Sequence, residues 1–79
     1  MKQTNLQKVQ ERLREKFMKN GVKMLAPETV YFSKDTKIGK NVTIEPYVVL
    51  GKKVKIQNNS KIKSFSHLEN VKIENNVTV

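Results

Sequence analysis

The chain has 79 residues, enough for one domain with a small core, and it carries a formal net charge of +9 at pH 7. It contains no cysteine, which excludes disulfide bonds and thiolate chemistry. No apolar run approaches the length of a membrane span, and the amino terminus lacks the apolar core of a signal peptide, so we expect a cytoplasmic protein.

The first predicted element is an amphipathic helix over residues 4–19, within a linker that we assign to residues 1–21. Thr4 and Gln7 fit a capping box at its start, and Gly21 is expected to end it in the left-handed conformation. A helix of this length is not stable alone in water, so its apolar stripe must dock on the following domain, a partner chain or another domain. The stripe consists of Leu6, Val9, Leu13 and Phe17.

From Ile38 onward the sequence repeats in units of six residues. An aliphatic residue opens each unit, a small or β-branched residue usually follows four places later, and turn-forming residues interrupt the alternation once per unit. A β-sandwich would instead turn every eight to twelve residues. The pattern predicts a parallel β-helix with coils of about 18 residues. The opening residues are Ile38, Ile44, Leu50, Ile56, Ile62, Leu68, Ile73 and Val79.

We assign residues 22–79 to this β-helix, which would have about three coils. The unit at Leu68 is one residue short, with Val71 in the second apolar slot, and Ala26 is expected to continue the phase backwards. The column is expected to be incomplete and uncapped at Val79. The residues that are expected to cover its first end are Val22, Met24 and Leu25.

The lysines are distributed over most repeat units, which predicts that they occupy all three outer faces of the column. A dispersed charge of this kind indicates a solvated surface, and no aromatic ladder interleaves it, so we do not expect a nucleic-acid partner. The lysines concerned are Lys37, Lys40, Lys52, Lys53, Lys55, Lys61, Lys63 and Lys72.

The junction between helix and coils resembles one enzyme family. Asn20-Gly-Val leads into Ala26-Pro-Glu-Thr and then Ile38-Gly-Lys-Asn-Val-Thr-Ile, and Ser64-Phe-Ser-His-Leu-Glu is similar to that family's early coils. The family is the bacterial bifunctional glucosamine-1-phosphate N-acetyltransferase and N-acetylglucosamine-1-phosphate uridyltransferase, which makes UDP-N-acetylglucosamine. The resemblance implies a mainly β fold, in which an N-terminal linker helix precedes a short left-handed parallel β-helix that trimerises.

The same resemblance implies substrates and partners. The family uses acetyl-CoA and UTP as substrates, together with magnesium, but the segments that carry its two active sites are not in this sequence. We therefore carry over no catalytic, cofactor-binding or metal-binding residue. The chain is expected to be a remnant or split portion of the enzyme, not catalytic alone, which forms a homotrimer or is completed by a chain that carries the missing coils.

Two other functions stay open. The first alternative is a non-catalytic trimeric scaffold or interaction module, with the helix stripe from Leu6 to Phe17 as its docking face. The second alternative is a basic nucleic-acid-binding module, which would bind with a steep dependence on salt.

One histidine and one pair of charged residues are weighed as sites of chemistry. His67, the only histidine, is expected at a corner with Glu69 near it, as an exposed or interfacial residue rather than a general base. Glu45 and Lys63 lie three repeat units apart in the sequence, so they are expected to stack as an exposed ion pair.

Four other residues are assigned to the surface and the turns. Gly39 and Gly51 are expected to be turn residues rather than a phosphate-binding loop, because no helix follows either of them. Tyr47 and Phe65 fall in non-core slots, and we expect them to be exposed and to mark a packing surface between subunits.

Overall fold

The computed structural model describes residues 5–79, and its first element is the helix α1 (Asn5–Lys19). Thr4 of the predicted capping box lies outside the described residues. The predicted helix end is confirmed, since Gly21 has φ = 96°. The Gly21 N–H donates to the Met18 carbonyl (3.2 Å) and the Val22 N–H to the Phe17 carbonyl (3.0 Å), which is the pairing of a Schellman motif.

Short strands and turns make up the rest of the described chain. A single 3₁₀ turn, Pro27–Thr29, lies between the first two strands. The strands are β1 (Lys23–Met24), β2 (Val30–Tyr31), β3 (Lys37–Ile38), β4 (Thr43–Ile44), β5 (Val48–Leu50), β6 (Val54–Ile56), β7 (Lys61–Ile62), β8 (His67–Leu68) and β9 (Val71–Ile73).

The strands form three parallel sheets that the chain visits in turn. Sheet A has the order β1-β4-β7, sheet B the order β2-β5-β8 and sheet C the order β3-β6-β9. Val30 pairs with Val48, and Ile44 pairs with Ile62, so strands three repeat units apart are neighbours. The fold is a short left-handed parallel β-helix, as the repeat and the resemblance predict.

The residues that open the units fill the centre of this column. Ile44, Leu50, Ile56 and Ile62 are each at most 1% exposed, and Val42, Val48 and Val54 close the gaps between them. Ser60 takes a core slot and donates its hydroxyl to the Glu74 carbonyl (2.7 Å), so its burial leaves no polar atom unpaired.

A left-handed residue marks most of the corners. From Asn41 to Phe65 these residues recur every six positions, and Asn70 follows Phe65 after only five. The short unit shortens the pairing offset by one position, as between Val54 and Val71, which confirms the predicted missing residue. The set with positive φ, apart from glycine, is Asn41, Tyr47, Lys53, Asn59, Phe65, Asn70 and Asn76.

The first coil is longer than the repeat predicts. Met24, rather than Ala26, pairs with Ile44, so the first coil in sheet A exceeds three repeat units by two positions. The assignment of Ala26 to the repeating core slot was wrong, because the Pro27–Thr29 turn takes up the two extra positions. Of the three residues expected to cover this end, Val22 and Met24 are buried, whereas Leu25 is 61% exposed.

Side chains of α1 close the first edge of sheet B. The Gln10 amide donates to the Phe32 carbonyl (2.7 Å) and accepts from the Phe32 N–H (2.8 Å), as a neighbouring strand would. Arg14 Nε donates to the Val30 carbonyl (3.1 Å). The Phe17 ring packs 4.8 Å from the Phe32 ring. The helix is thus docked on the first coil, and it protects an edge that would otherwise be open to association.

Candidate functional site

The three outer faces of the column differ in chemistry. The outward strand positions of sheet B hold no lysine, so the prediction that lysines occupy all three faces is wrong for this sheet. The reason is the register, which brings residues that are one coil apart onto one face. Sheet A presents Lys23, Thr43 and Lys61, sheet B presents Tyr31, Val49 and His67, and sheet C presents Lys37, Lys55 and Lys72.

An exposed apolar surface covers sheet B and the corner that precedes it. Tyr47 and Phe65 stack at this corner with their ring centroids 5.4 Å apart and their planes 5° apart. Phe65 is 82% exposed, which confirms the predicted exposure. We call Tyr31, Tyr47, Val49 and Phe65 the aromatic patch; all four are at least 41% exposed.

Both stacked aromatics are held in an unfavourable backbone conformation. Tyr47 has φ = 61° and Phe65 has φ = 62°, whereas four of the other five corner residues with positive φ are asparagine. Asparagine tolerates this region, but a bulky side chain there costs on the order of 1–2 kcal/mol. Strain of this kind gathers at functional surfaces, so the pair is a candidate contact with another molecule.

His67 lies in strand β8 on the outer face of sheet B, not at the predicted corner. Its Nε2 is 3.9 Å from Glu69 Oε1, and its side chain is 67% exposed. The carboxylate is near, as the sequence indicates, but both groups are open to solvent. This arrangement lacks the enclosed, oriented partner that a general base needs.

Glu45 does not pair with Lys63. Its Oε2 lies 3.5 Å from Lys61 Nζ, and its Oε1 accepts a hydrogen bond from the Ser64 N–H (3.1 Å) in the next corner. The backbone N–H of Ser64 draws the carboxylate toward the corner and is the main cause of the lowered pKa of Glu45, to which Lys61 adds. The predicted pair is therefore replaced by a carboxylate that holds two coils together.

The two glycines of the repeat follow strands where the coils approach closely. Neither Gly39 nor Gly51 has a positive φ, so conformational freedom is not the reason for glycine. A Cβ at Gly51 would lie 2.9 Å from the Glu69 Cβ, and a Cβ at Gly39 would overlap the Asn58 side chain. Both positions exclude a side chain for lack of space, and neither forms a phosphate-binding loop.

Part of the helix stripe remains open beside the first coil. Phe17 is buried and Leu13 packs on the core, but Leu6 is 62% exposed. Leu6 and Val9 line a mainly apolar groove of about 620 Å³ against Phe32. Within residues 5–79, no helix is long and apolar enough to cross a membrane, and no three histidine, aspartate or glutamate side chains are placed to hold a metal ion.

The chain is similar in sequence to known proteins over most of its length. Residues 35–70 match a family model described as bacterial transferase hexapeptide (six repeats). The bifunctional protein GlmU of Zymomonas mobilis is 50% identical over 70 residues, which cover 89% of this chain. GlmU of Bradyrhizobium diazoefficiens is 55% identical over 60 residues, or 76% of this chain. Over most of its length the chain is similar to one stretch of these GlmU proteins. No solved structure matches it significantly.

The similarity is confined to a short part of each relative. The chain spans 16% of the Zymomonas mobilis GlmU, 16% of the GlmU of Wolbachia pipientis and 13% of the Bradyrhizobium diazoefficiens GlmU. The matched stretch includes the parallel coils described above, and each of these relatives is a much longer protein than this chain.

Proposed function

We propose that this chain supplies the linker helix and first three coils of a GlmU-type β-helix, as a structural portion without an active site of its own. The observation that carries the proposal is the roughly half identity to GlmU over 89% of the chain. The parent activities are acetyl transfer from acetyl-CoA to glucosamine-1-phosphate and uridylyl transfer from UTP, with magnesium, in UDP-N-acetylglucosamine synthesis.

The far edge of the column supports stacking of further coils. Strands β8 and β9 are the last members of sheets B and C, and no strand among residues 5–79 covers their outer edges. Ile73 is buried, yet Val77 is 36% exposed at this end. Another coil in the same phase would pair with these edges and bury the apolar surface, whether it belonged to the same polypeptide or to a second one.

The test is an activity assay with complementation. The purified chain is assayed for both transfers alone, and then with a Zymomonas mobilis GlmU polypeptide that lacks the matched segment. We expect no turnover from the chain alone, and a stable complex with restored acetyl transfer in the mixture. Turnover by the chain alone, or failure of the two polypeptides to associate, would contradict the proposal.

The aromatic patch favours a second candidate, a non-catalytic trimeric scaffold. If another subunit covers these exposed aromatics, the burial of their apolar surface lowers the free energy of the assembly. Light scattering should then give about 27.6 kDa, three times the 9.2 kDa of one chain, together with a cooperative circular dichroism melt. A discrete trimer that neither binds nor activates the GlmU polypeptide would favour the scaffold over the enzyme portion.

A further inference from the structure

The outer face of sheet C is cationic along its whole length. The register aligns Lys37 with Lys55 and Lys55 with Lys72, and all three side chains are exposed. We call these three residues the lysine ladder. Because parallel strands lie about 4.8 Å apart, the ladder extends over about 10 Å of the column axis. Like charges directly opposite each other destabilise a sheet, so the free protein gains nothing from this alignment.

The lysine ladder is poorly neutralised by the rest of the protein. Lys72 lies 3.9 Å from Glu74, but no carboxylate among residues 5–79 lies within ion-pair distance of Lys37 or Lys55. The nearby Asp35 accepts a hydrogen bond from the Lys53 N–H (3.1 Å). The corners beside the sheet hold four more lysines against three carboxylates, so the face is positive overall. The lysines are Lys34, Lys40, Lys52 and Lys53, and the carboxylates are Asp35, Glu69 and Glu74.

We infer that the outer face of sheet C binds the phosphate backbone of duplex nucleic acid, without reading its sequence. A duplex carries one negative charge per about 1.7 Å of axis, so a row of ammonium groups about 10 Å long can displace several condensed counterions. Single-stranded binding needs aromatic stacking, and the exposed aromatics lie on sheet B instead. The expectation of no nucleic-acid partner depended on evenly dispersed lysines and on the lack of an aromatic ladder among them. The register of sheet C gathers three lysines in one row, and contacts to the phosphates of a duplex need no aromatic ladder.

The test compares two triple variants of the full chain that carry the same net charge of +6, three below the +9 of the natural sequence. The ladder variant is K37Q/K55Q/K72Q, and the control on sheet A and its following corner is K23Q/K61Q/K63Q. Fluorescence anisotropy with a 20-base-pair DNA duplex of arbitrary sequence is measured from 50 to 200 mM salt, after circular dichroism melts show that both variants fold.

The slope of log K against log salt is negative, and we expect it to be shallower in the ladder variant by about 2.7, or about 0.9 for each lost phosphate contact. The affinity lost on raising the salt fourfold would then be about 40-fold smaller than in the natural chain. The control should change the slope by less than 1. If the triple ladder variant fails to fold, K55Q alone should make the slope shallower by about 0.9.

Three outcomes would overturn the inference. The first is no binding of the duplex at 50 mM salt. The second is an equal loss in the ladder variant and the control, which would show that only net charge matters. The third is ladder-dependent binding to vesicles that contain phosphatidylserine, without binding to the duplex, which would assign the face to an anionic membrane.

Discussion

Gln10 offers the sharpest test of how the helix is attached. Its side-chain amide makes both hydrogen bonds to Phe32 and is only 4% exposed. Replacing it with methionine keeps the length of the side chain but leaves the N–H and C=O of Phe32 without partners. Each buried group that loses its partner costs about 1–3 kcal/mol, so we expect Gln10→Met to destabilise the protein by about 2–6 kcal/mol.

That loss is large for a chain of this size. A domain of 79 residues has a free energy of unfolding of about 4–12 kcal/mol. A loss near 3 kcal/mol would lower the melting temperature by about 12–24 °C. Thermal melts followed by circular dichroism measure this change, and hydrogen exchange at the Phe32 amide shows whether the helix detaches locally or the whole column unfolds.

Gln10→Glu separates the two hydrogen bonds. The carboxylate can still accept from the Phe32 N–H, but at neutral pH it cannot donate to the carbonyl, and repulsion from that oxygen raises its pKa. Protonation restores a donor, so relative to the natural chain this variant should gain stability as the pH falls toward 4. Unchanged melting and unchanged protection of the Phe32 amide in both variants would refute the proposed edge closure.

Three further predictions concern the coils. The pKa of Glu45 is lowered in the fold, so its carboxylate stabilises the folded chain above the ordinary glutamate pKa of about 4.3. This stabilisation is lost as the pH falls through the folded pKa. Glu45→Gln should therefore show a smaller drop in melting temperature than the natural chain between pH 5 and 3. Gly39→Ala should cost about 1–3 kcal/mol in denaturant melts because of overlap with Asn58, and adding Asn58→Ala should recover part of the loss; no recovery would point to backbone contacts instead. Replacing Tyr47 and Phe65 with asparagine should change monomer stability by only about 1 kcal/mol, since lost stacking is offset by relief of strain. If the aromatic patch joins subunits, the same double variant should abolish the oligomer in light scattering, and an intact oligomer would exclude the patch as the interface.

The repeat predicted the core because the six residues of each unit are enough to show which of them are buried. The six-residue period predicts the burial of Ile44, Ile56 and Ile62, and a break in that period predicts the shortened unit near Asn70. The end of the helix was also local, since Gly21 supplies a conformation that other residues rarely adopt.

The features that the sequence did not reveal depend on contacts between distant positions. Gln10 looks like any polar helix residue until the open edge beside Phe32 is placed against it. Its position between Leu6 and Leu13 on the stripe side was the available signal. The partner of Glu45 depended on an N–H in the next corner, which no pattern of charges reports. The lysine ladder required the register of sheet C, including the shift of one residue.

The five-residue unit shows where this architecture can change its length. Within a strand, loss of one residue would turn every following side chain to the opposite face. Here the missing residue is taken up in the corner between Leu68 and Asn70, since Leu68 still pairs with Leu50 in the regular register, and Ile73 still reaches the interior beside Ile56. The corners therefore tolerate changes in length: residues can be gained or lost there during evolution or design, while the following strands keep their stacking partners.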